Sequence, residues 1–348
     1  MHNSYKYFKA KEKIVMENLL NALGQFKDKK VIVVGDVMLD TSIMGTGGRT
    51  NPESLEALMM DDISIDYRLG GAANVARNIA SLGASCYLLG QIGDDAPGKE
   101  IAKLCKKEGI ESYFVVDPGR ETIVKLRMLV DGRYVLRANI GEKKLRPMDY
   151  EKGAELEEGL SKEIGSCNLV IFSDYNKGVF KAGLERRTIQ EIKNNKRKIL
   201  TLADPKPENI SNFFGCDVLR PNKKEAEEIA GIKDNGSNLG EIASSLAEKT
   251  RSRYVAITCG GDGAFIFTKD TEKNYSELVP TKKVPLADTI GAGDTFATVL
   301  GLGMVSGLDF KDSVRLANYA SAIVVGKRGT ATTNVEELER VLKDEGQR

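Results

Sequence analysis

The sequence predicts an α/β fold built on a mostly parallel central sheet, with a small β-lid beside it. Three observations predict it. Short apolar runs rich in Val and Ile recur, each is followed by a segment of helix length, and polar or glycine residues collect where each run ends. The runs are 31–34, 86–89, 169–172, 199–202, 218–219 and 254–258. Strands this apolar are buried on both faces, as in a sheet covered by helices on either side. Open sheets of this kind bind ligands beyond the carboxyl ends of their strands. Two segments, about 41–68 and 112–138, break the rhythm with short alternating stretches. In the second, Asp131-Gly132 is a hairpin turn leading into Tyr134-Val135-Leu136. These two segments are expected to form the lid of a domain spanning 31–345. Residues 1–30 read as a polar leader. It either forms a short amphipathic helix on Ile14, Leu19, Leu20 and Leu23 or frays.

Composition excludes several classes. Lys and Arg number 51 against 50 Asp and Glu, which gives no electrostatic case for a nucleic-acid partner. The basic run Lys196-Arg197-Lys198 is short and reads as a solvated corner between a helix and a strand. No apolar run is long enough to span a membrane, and 1–30 lacks the apolar centre of a signal peptide. The five cysteines are scattered, odd in number and without a C-x-x-C pair. They read as reduced thiols of a cytoplasmic protein. The only histidine is His2. Ser-His-Asp and Cys-His catalysis and His-ligated metal centres therefore drop out, and acid–base work falls to Asp, Glu, Lys, Tyr or Cys.

The chemistry concentrates at Asp288-Thr289-Ile290-Gly291-Ala292-Gly293-Asp294-Thr295-Phe296. Gly291, Ala292 and Gly293 suit a tight turn into a helix whose free N–H groups and dipole favour an anion. A carboxylate at Asp294 opposes a bound phosphate unless it removes a proton from a neighbouring hydroxyl. An anion hole beside a base is what phosphoryl transfer to an alcohol requires. Alone, a G-x-G-D stretch is more often a capped turn, so weight rests on its company. Gly70-Gly71 opens a helix carrying Asn74, a pattern equally suited to a tight turn or to close approach of a polyol. Asp36 and Asp40 flank the end of the first strand and could accept sugar hydroxyls, or simply make turns. Ser173-Asp174-Tyr175-Asn176-Lys177-Gly178 and Asp204-Pro205-Lys206 both follow strands, and their lysines suit an anionic substrate group. Asn222 and Glu225 open a helix, where Glu225 could reach Mg²⁺ through water or merely favour the helix dipole. The loop Thr258-Cys259-Gly260-Gly261-Asp262-Gly263 suits nucleotide phosphates, yet no Walker or protein-kinase glycine loop occurs.

In this order the segments resemble the ribokinase-like (PfkB) carbohydrate kinase family across about 31–343. The early Gly-Gly and the late D-T-I-G-A-G-D-T-F are its two signatures. The stretches at 33–40, 51–53, 70–76, 173–178 and 204–206 look like the D-glycero-D-manno-heptose 7-phosphate kinases, in a kinase-only form. The resemblance implies a three-layer sandwich and ATP-dependent phosphorylation of an anomeric hydroxyl, with ATP and Mg²⁺ as cofactors. It implies Asp294 as base and Gly291, Ala292 and Gly293 as anion hole. It places sugar hydroxyls at Asp36, Asp40, Gly70, Gly71 and Asn74, and the sugar phosphate at Lys177 and Lys206, with Arg127 or Arg137; Asp174 is a further substrate-binding residue. It gives Mg²⁺ and the ATP phosphates to Asn222 and Glu225. Thr258, Gly260, Gly261 and Gly263 would line the nucleotide, with Asn318 near adenine. Family members often hold K⁺ near Asp288, Ile290 and Gly329.

The chain departs from the heptose kinases at Ser54-Leu55-Glu56-Ala57, Asn176 and Leu136-Arg137-Ala138-Asn139, which bears on the sugar rather than on the chemistry. Another sugar or nucleoside kinase of the same fold is the nearest alternative. A nicotinamide-linked oxidoreductase lacks its G-x-G-x-x-G at Gly35-Asp36-Val37-Met38. A non-catalytic sugar-binding regulator would not need the intact Gly291–Asp294 stretch. A lid with exposed apolar strands is best covered by a second copy, so a homodimer through the lid is expected.

Overall fold

A computed structural model describes residues 2–54, 58–142, 145–181, 183–194, 198–285 and 287–346. Leu55, Glu56 and Ala57 of the departure noted above, and Lys196 and Arg197 of the basic run, lie outside them. The apolar runs become strands β1 (Lys30–Gly35), β4 (Ser85–Gly93), β8 (Leu169–Ser173), β9 (Leu200–Asp204), β10 (Val218–Leu219) and β11 (Tyr254–Thr258). With β5 (Glu111–Asp117), β12 (Ala264–Thr268) and β13 (Tyr275–Val279) they make a nine-stranded sheet in the order β13-β12-β11-β10-β9-β8-β1-β4-β5. From β5 to β11 every pairing is parallel, and β12 and β13 close one edge antiparallel.

Side chains alternate across the sheet and divide the core into two layers. Val31 and Val33 join one cluster with Ile79 of α2 (Ala72–Ser81), Ile101 of α3 (Ala96–Lys107), Val299 of α8 (Ala292–Val305), Leu316 of α9 (Phe310–Val325) and Leu342 of α10 (Val335–Gly346). Ile32 and Val34 join the other with Leu156 of α4 (Tyr150–Ile164), Ile189 of α5 (Leu184–Asn194), Ile229 of α6 (Lys223–Ala230) and Leu246 of α7 (Leu239–Thr250). Helices thus cover both faces, giving the expected three layers.

The leader is helical: α1 spans His2–Gly24. Leu19 and Leu23 are buried in the first cluster, Leu20 is half-buried against it, and Ile14 faces solvent. Met16 takes the buried place expected of Ile14.

A second sheet has four strands in the order β3-β2-β6-β7: β2 (Val37–Thr50), β3 (Leu58–Gly71), β6 (Val124–Val130) and β7 (Arg133–Ile140). Asp131 and Gly132 turn the β6–β7 hairpin with φ of 48° and 75°, as the Asp-Gly pair requires. The lid segment expected at 112–138 divides. Its first part is β5, which pairs with β4 at the edge of the large sheet, and only β6 and β7 join the small one. Alternation alone does not distinguish an edge strand of one sheet from a member of another. Likewise β2 and β3 are long paired strands rather than short ones, and Gly70 and Gly71 end β3 opposite Met38 and Val37.

Candidate active site

The segments that follow β8 and β10 bring Tyr175 and Arg220 to the N-terminus of α8. Gly291 caps this helix with φ of 79°, a left-handed conformation that favours glycine. A Cβ on Gly291 would lie 2.9 Å from Asn74 Nδ2, and one on Gly293 would lie 2.9 Å from Arg220 Nη1. The first turn of α8 is therefore open only because these positions lack side chains. Its leading N–H groups have no intrahelical acceptor, so the turn presents donors and the positive end of a dipole.

Asp294 sits in that turn, 6% exposed. Asn74 Nδ2 donates to its Oδ2 at 2.6 Å, and the Tyr175 hydroxyl donates to its Oδ1 at 2.7 Å. Burial pushes its carboxyl above the ordinary Asp value, while the Asn74 and Tyr175 bonds and the Arg220 charge oppose that rise. One residue on, the Thr295 hydroxyl donates to Asn78 Oδ1 at 2.7 Å. Asn74 and Asn78, four residues apart on α2, thus register that helix against α8. Arg220 follows β10, pairs with buried Asp204, and holds its guanidinium against Gly293.

Two buried carboxylates, Asp36 expected at a sugar hydroxyl and Asp174 expected to bind substrate, shape the 173–179 loop. Asp36 accepts backbone N–H bonds from Tyr175, Lys177 and Val179. Asp174 accepts from the N–H groups of Asn176 and Lys206 and from Asn209 Nδ2. Arg120 Nη2 adds a bond to the Lys177 carbonyl at 2.8 Å. Burial raises both carboxyls, that of Asp174 to about 6. A folded-state value above the ordinary 3.8 means that folded protein binds the proton more tightly. Stability should therefore fall by roughly 2–3 kcal/mol as pH rises from about 4 to about 6. In Asp174→Asn, urea unfolding at the two pH values should show a shallower fall, on a lower overall stability because the amide cannot accept every bond.

Asp40 lies on the lid's inner side, where Arg127 Nη1 (3.2 Å) and the Thr330 hydroxyl (2.8 Å) reach it. Gly70 faces it closely, since a Cβ there would come within 2.9 Å of the Asp40 carboxyl carbon. Gly71 has φ of 59° and passes over the Asp36 carbonyl. Arg127 is buried, whereas Arg137, opposite it on β7, is exposed. Lys177 Nζ pairs with Glu142 at 3.0 Å. Lys206, expected at the sugar-phosphate end, pairs with Glu225 and lies 5.6 Å from the Tyr175 ring centroid, between the two halves of the cleft.

Asn222 and Glu225 form a capping box, each side chain accepting the other's backbone N–H at 2.9 Å. That explains their spacing locally, yet leaves Glu225 Oε1 turned toward Lys206 and the cleft. One carboxylate at the edge of the cleft fits outer-sphere Mg²⁺, which is held by few protein groups and keeps its water. Asn222 bridges to Thr258. Gly260 and Gly261 face open space, whereas Gly263, at φ of 105°, is required because a Cβ would strike the Val279 carbonyl. Asn318 Nδ2 donates to the Val279 and Pro280 carbonyls, and a cavity of about 290 Å³ beside it is lined by Pro280, Lys282, Arg315, Tyr319 and Glu345. Asp288 accepts from the Tyr134 hydroxyl (2.8 Å) and from the Gly329 and Ile290 N–H groups (both 3.1 Å). Its side chain serves as a hydrogen-bond clasp between the lid and two loops.

Sequence reasoning assigned no role to Tyr175, Arg220, Lys125 or Thr330. Lys125 lies 4.8 Å from the Tyr175 ring centroid, and burial lowers its ammonium's pKa despite Asp40 and Asp294 nearby. Arg220 carried a usable signal, since it stands between a strand end and Pro221-Asn222. Lys125 and Thr330 carried none, because the lid's register and a distant loop bring them in.

A helix-capping anion site, an adjacent buried carboxylate and a basic lid over a parallel sheet define a class of phosphate-handling α/β protein. Residues 28–337 match the family described as pfkB family carbohydrate kinase, and the chain belongs to that family. It is 33% identical over 327 residues to the "Bifunctional protein HldE" of Bradyrhizobium diazoefficiens, covering 92% of this chain and 65% of that protein. The HldE of Marinomonas sp. is 34% identical over 321 residues, covering 91% and 64%. The chain therefore spans about two thirds or less of these relatives' length. Among solved structures, phosphofructokinase-2 from Escherichia coli in complex with potassium superposes with a TM-score of 0.72 at 18% identity, covering 92% of this chain and 99% of that one. Ribokinase from Thermotoga maritima superposes with a TM-score of 0.65 at 22% identity, covering 90% and 99%. These two establish the shared fold.

Proposed function

We propose that the protein transfers the γ-phosphoryl group of ATP to the anomeric hydroxyl of a sugar phosphate, D-glycero-D-manno-heptose 7-phosphate, giving the 1,7-bisphosphate. The observation that carries this reading is Asp294. A buried carboxylate stands in the first turn of a helix whose N-terminus is shaped for an anion, beside the buried Arg220. Asp294 takes the acceptor proton while the N–H groups of Gly291, Ala292 and Gly293 and the Arg220 guanidinium receive the charge on the moving phosphoryl group. Asn74 fixes the carboxylate's orientation. Mg²⁺, when bound, neutralises phosphate charge, and Glu225 is the residue that would hold it through water, with Asn222 fixing its helix. Thr258, Gly260 and Gly261 line the nucleotide phosphates, with Asn318 and the neighbouring cavity at the base.

Asp40, Gly70 and Gly71 border the sugar. Lys125, Arg127, Arg137 and Lys177 surround its outer end, and this gathering of cations favours a phosphorylated acceptor over a neutral one. The heptose is favoured by the likeness of 33–40, 70–76, 173–178 and 204–206 to the heptose kinases. An ADP-release screen across heptose, hexose and pentose phosphates should give the highest kcat/KM with the heptose 7-phosphate. Equal turnover of ribose or fructose 6-phosphate would remove the heptose assignment.

The reading includes a cytoplasmic location, supported by five free cysteines. No helix among the described residues is long and apolar enough to cross a membrane. It also includes a homodimer through the lid. Ile65, Tyr67, Leu136 and Ile140 are 43–53% exposed on the small sheet, an apolar surface that a second copy would cover. A monomer by light scattering at micromolar concentration would refute the pairing.

A further inference from the structure

Both oxygens of Asp294 already have donors, and the two donors differ in kind. Asn74 is fixed: it lies within α2, is fully buried, and faces Gly291 so closely that no side chain fits between them. Tyr175 stands on the loop after β8, next to Asn176 at φ of 55°. The ammonium groups of Lys125 and Lys206 lie 4.8 and 5.6 Å from its ring centroid. Its hydroxyl donates to Asp294 Oδ1 at 2.7 Å and so occupies one of that oxygen's acceptor positions.

We propose that Tyr175 guards the reacting carboxylate: its hydroxyl occupies the acceptor's place on Asp294 Oδ1 until a sugar hydroxyl displaces it. This rests on Asp294 being the base. In transfer, the acceptor oxygen bonds to phosphorus as the bond to the ADP oxygen breaks, and the acceptor proton passes to Asp294. If water took the acceptor's place, the same exchange would yield inorganic phosphate and ADP, wasting the nucleotide. Tyr175 is suited to exclude that water. Burial and the neighbouring Asp294 charge push its phenol well above its ordinary value, so it stays a neutral donor and never competes as a base. The other charges facing Asp294 are Arg220, Asp40 and Lys125, and none of them donates to Oδ1.

The test measures inorganic phosphate released from ATP and Mg²⁺ without any sugar. Tyr175→Phe keeps the ring beside the two lysines and removes only the hydroxyl. Phosphate release should rise by about tenfold or more, the scale of one hydrogen bond to a charged group. Adding Asp294→Asn should return it to the wild-type level. Tyr175→Leu, which also removes the ring, should release phosphate at least as fast as Tyr175→Phe. Release that stays unchanged or falls in both Tyr175 variants, with thermal stabilisation by ADP retained, would overturn the proposal. The two readings separate cleanly. Sugar phosphorylation by wild type without a rise in Tyr175→Phe sinks the guard alone. A rise that depends on Asp294, with no acceptor turned over by wild type, upholds the guard and sinks the assigned acceptor.

Discussion

Replacing Asp294 with Asn should lower kcat by about 10²–10⁴-fold, the usual contribution of a positioned base, while nucleotide affinity is unchanged. The variant is close to isosteric. Its amide oxygen still accepts from Asn74, and the Tyr175 hydroxyl can turn to accept from the amide nitrogen, so the clamp survives. Loss of turnover then reports the missing proton acceptor rather than a collapsed site. The pH profile gives a second measure. Burial holds the Asp294 carboxyl above the ordinary Asp value, so activity should fall on the acid side as that carboxyl takes up a proton. The residual activity of the variant should lack this limb. A variant with near-normal kcat would show that Asp294 is not the base.

Replacing Arg220 with Met should produce two losses that can be separated. Arg220 and Asp204 form an ion pair with side chains only 7% and 11% exposed. Removing one partner strands a buried carboxylate, at a cost of about 3–5 kcal/mol in urea unfolding. The same change removes a cation beside Gly293, where the moving phosphoryl group is proposed to lie. Loss of one preorganised donor from such a site lowers kcat by about 10²–10³-fold. Adding Asp204→Asn should restore much of the stability, because no charge is then stranded, and none of the turnover. If turnover returned with stability, Arg220 would be a scaffold residue only.

These expectations depend on residues that stood out in sequence to different degrees. Gly291, Gly293 and Asp294 stood out as a helix start without side chains followed by an acid, and it was their company along the chain that set them apart from a capped turn. The six apolar runs were legible because double-sided burial leaves no polar alternation to confuse them. Asp36 and Asp174 stood at the right strand ends, yet both proved to hold backbone N–H groups. A carboxylate aimed at a sugar and one aimed at its own loop look alike in sequence. The position of Lys206, paired with Glu225 rather than at the sugar-phosphate end, depends on how far β9 and α6 stand apart. The edge strands β5 and β13 were hidden because partly exposed strands alternate as lid strands do.

By itself the sequence determined the layered α/β plan, the glycine-capped helix start at Gly291 to Asp294 and the presence of a single histidine, His2. All three follow from local composition and spacing along the chain. Only the tertiary structure decided which donors hold Asp294, that Arg220 stands against Gly293, and that the lid hangs from Asp40 and Asp288. Those contacts join residues far apart in the chain, such as Asn74 with Asp294, Thr330 with Asp40 and Tyr134 with Asp288. Strand order and lid register set their distances, and no local pattern encodes either.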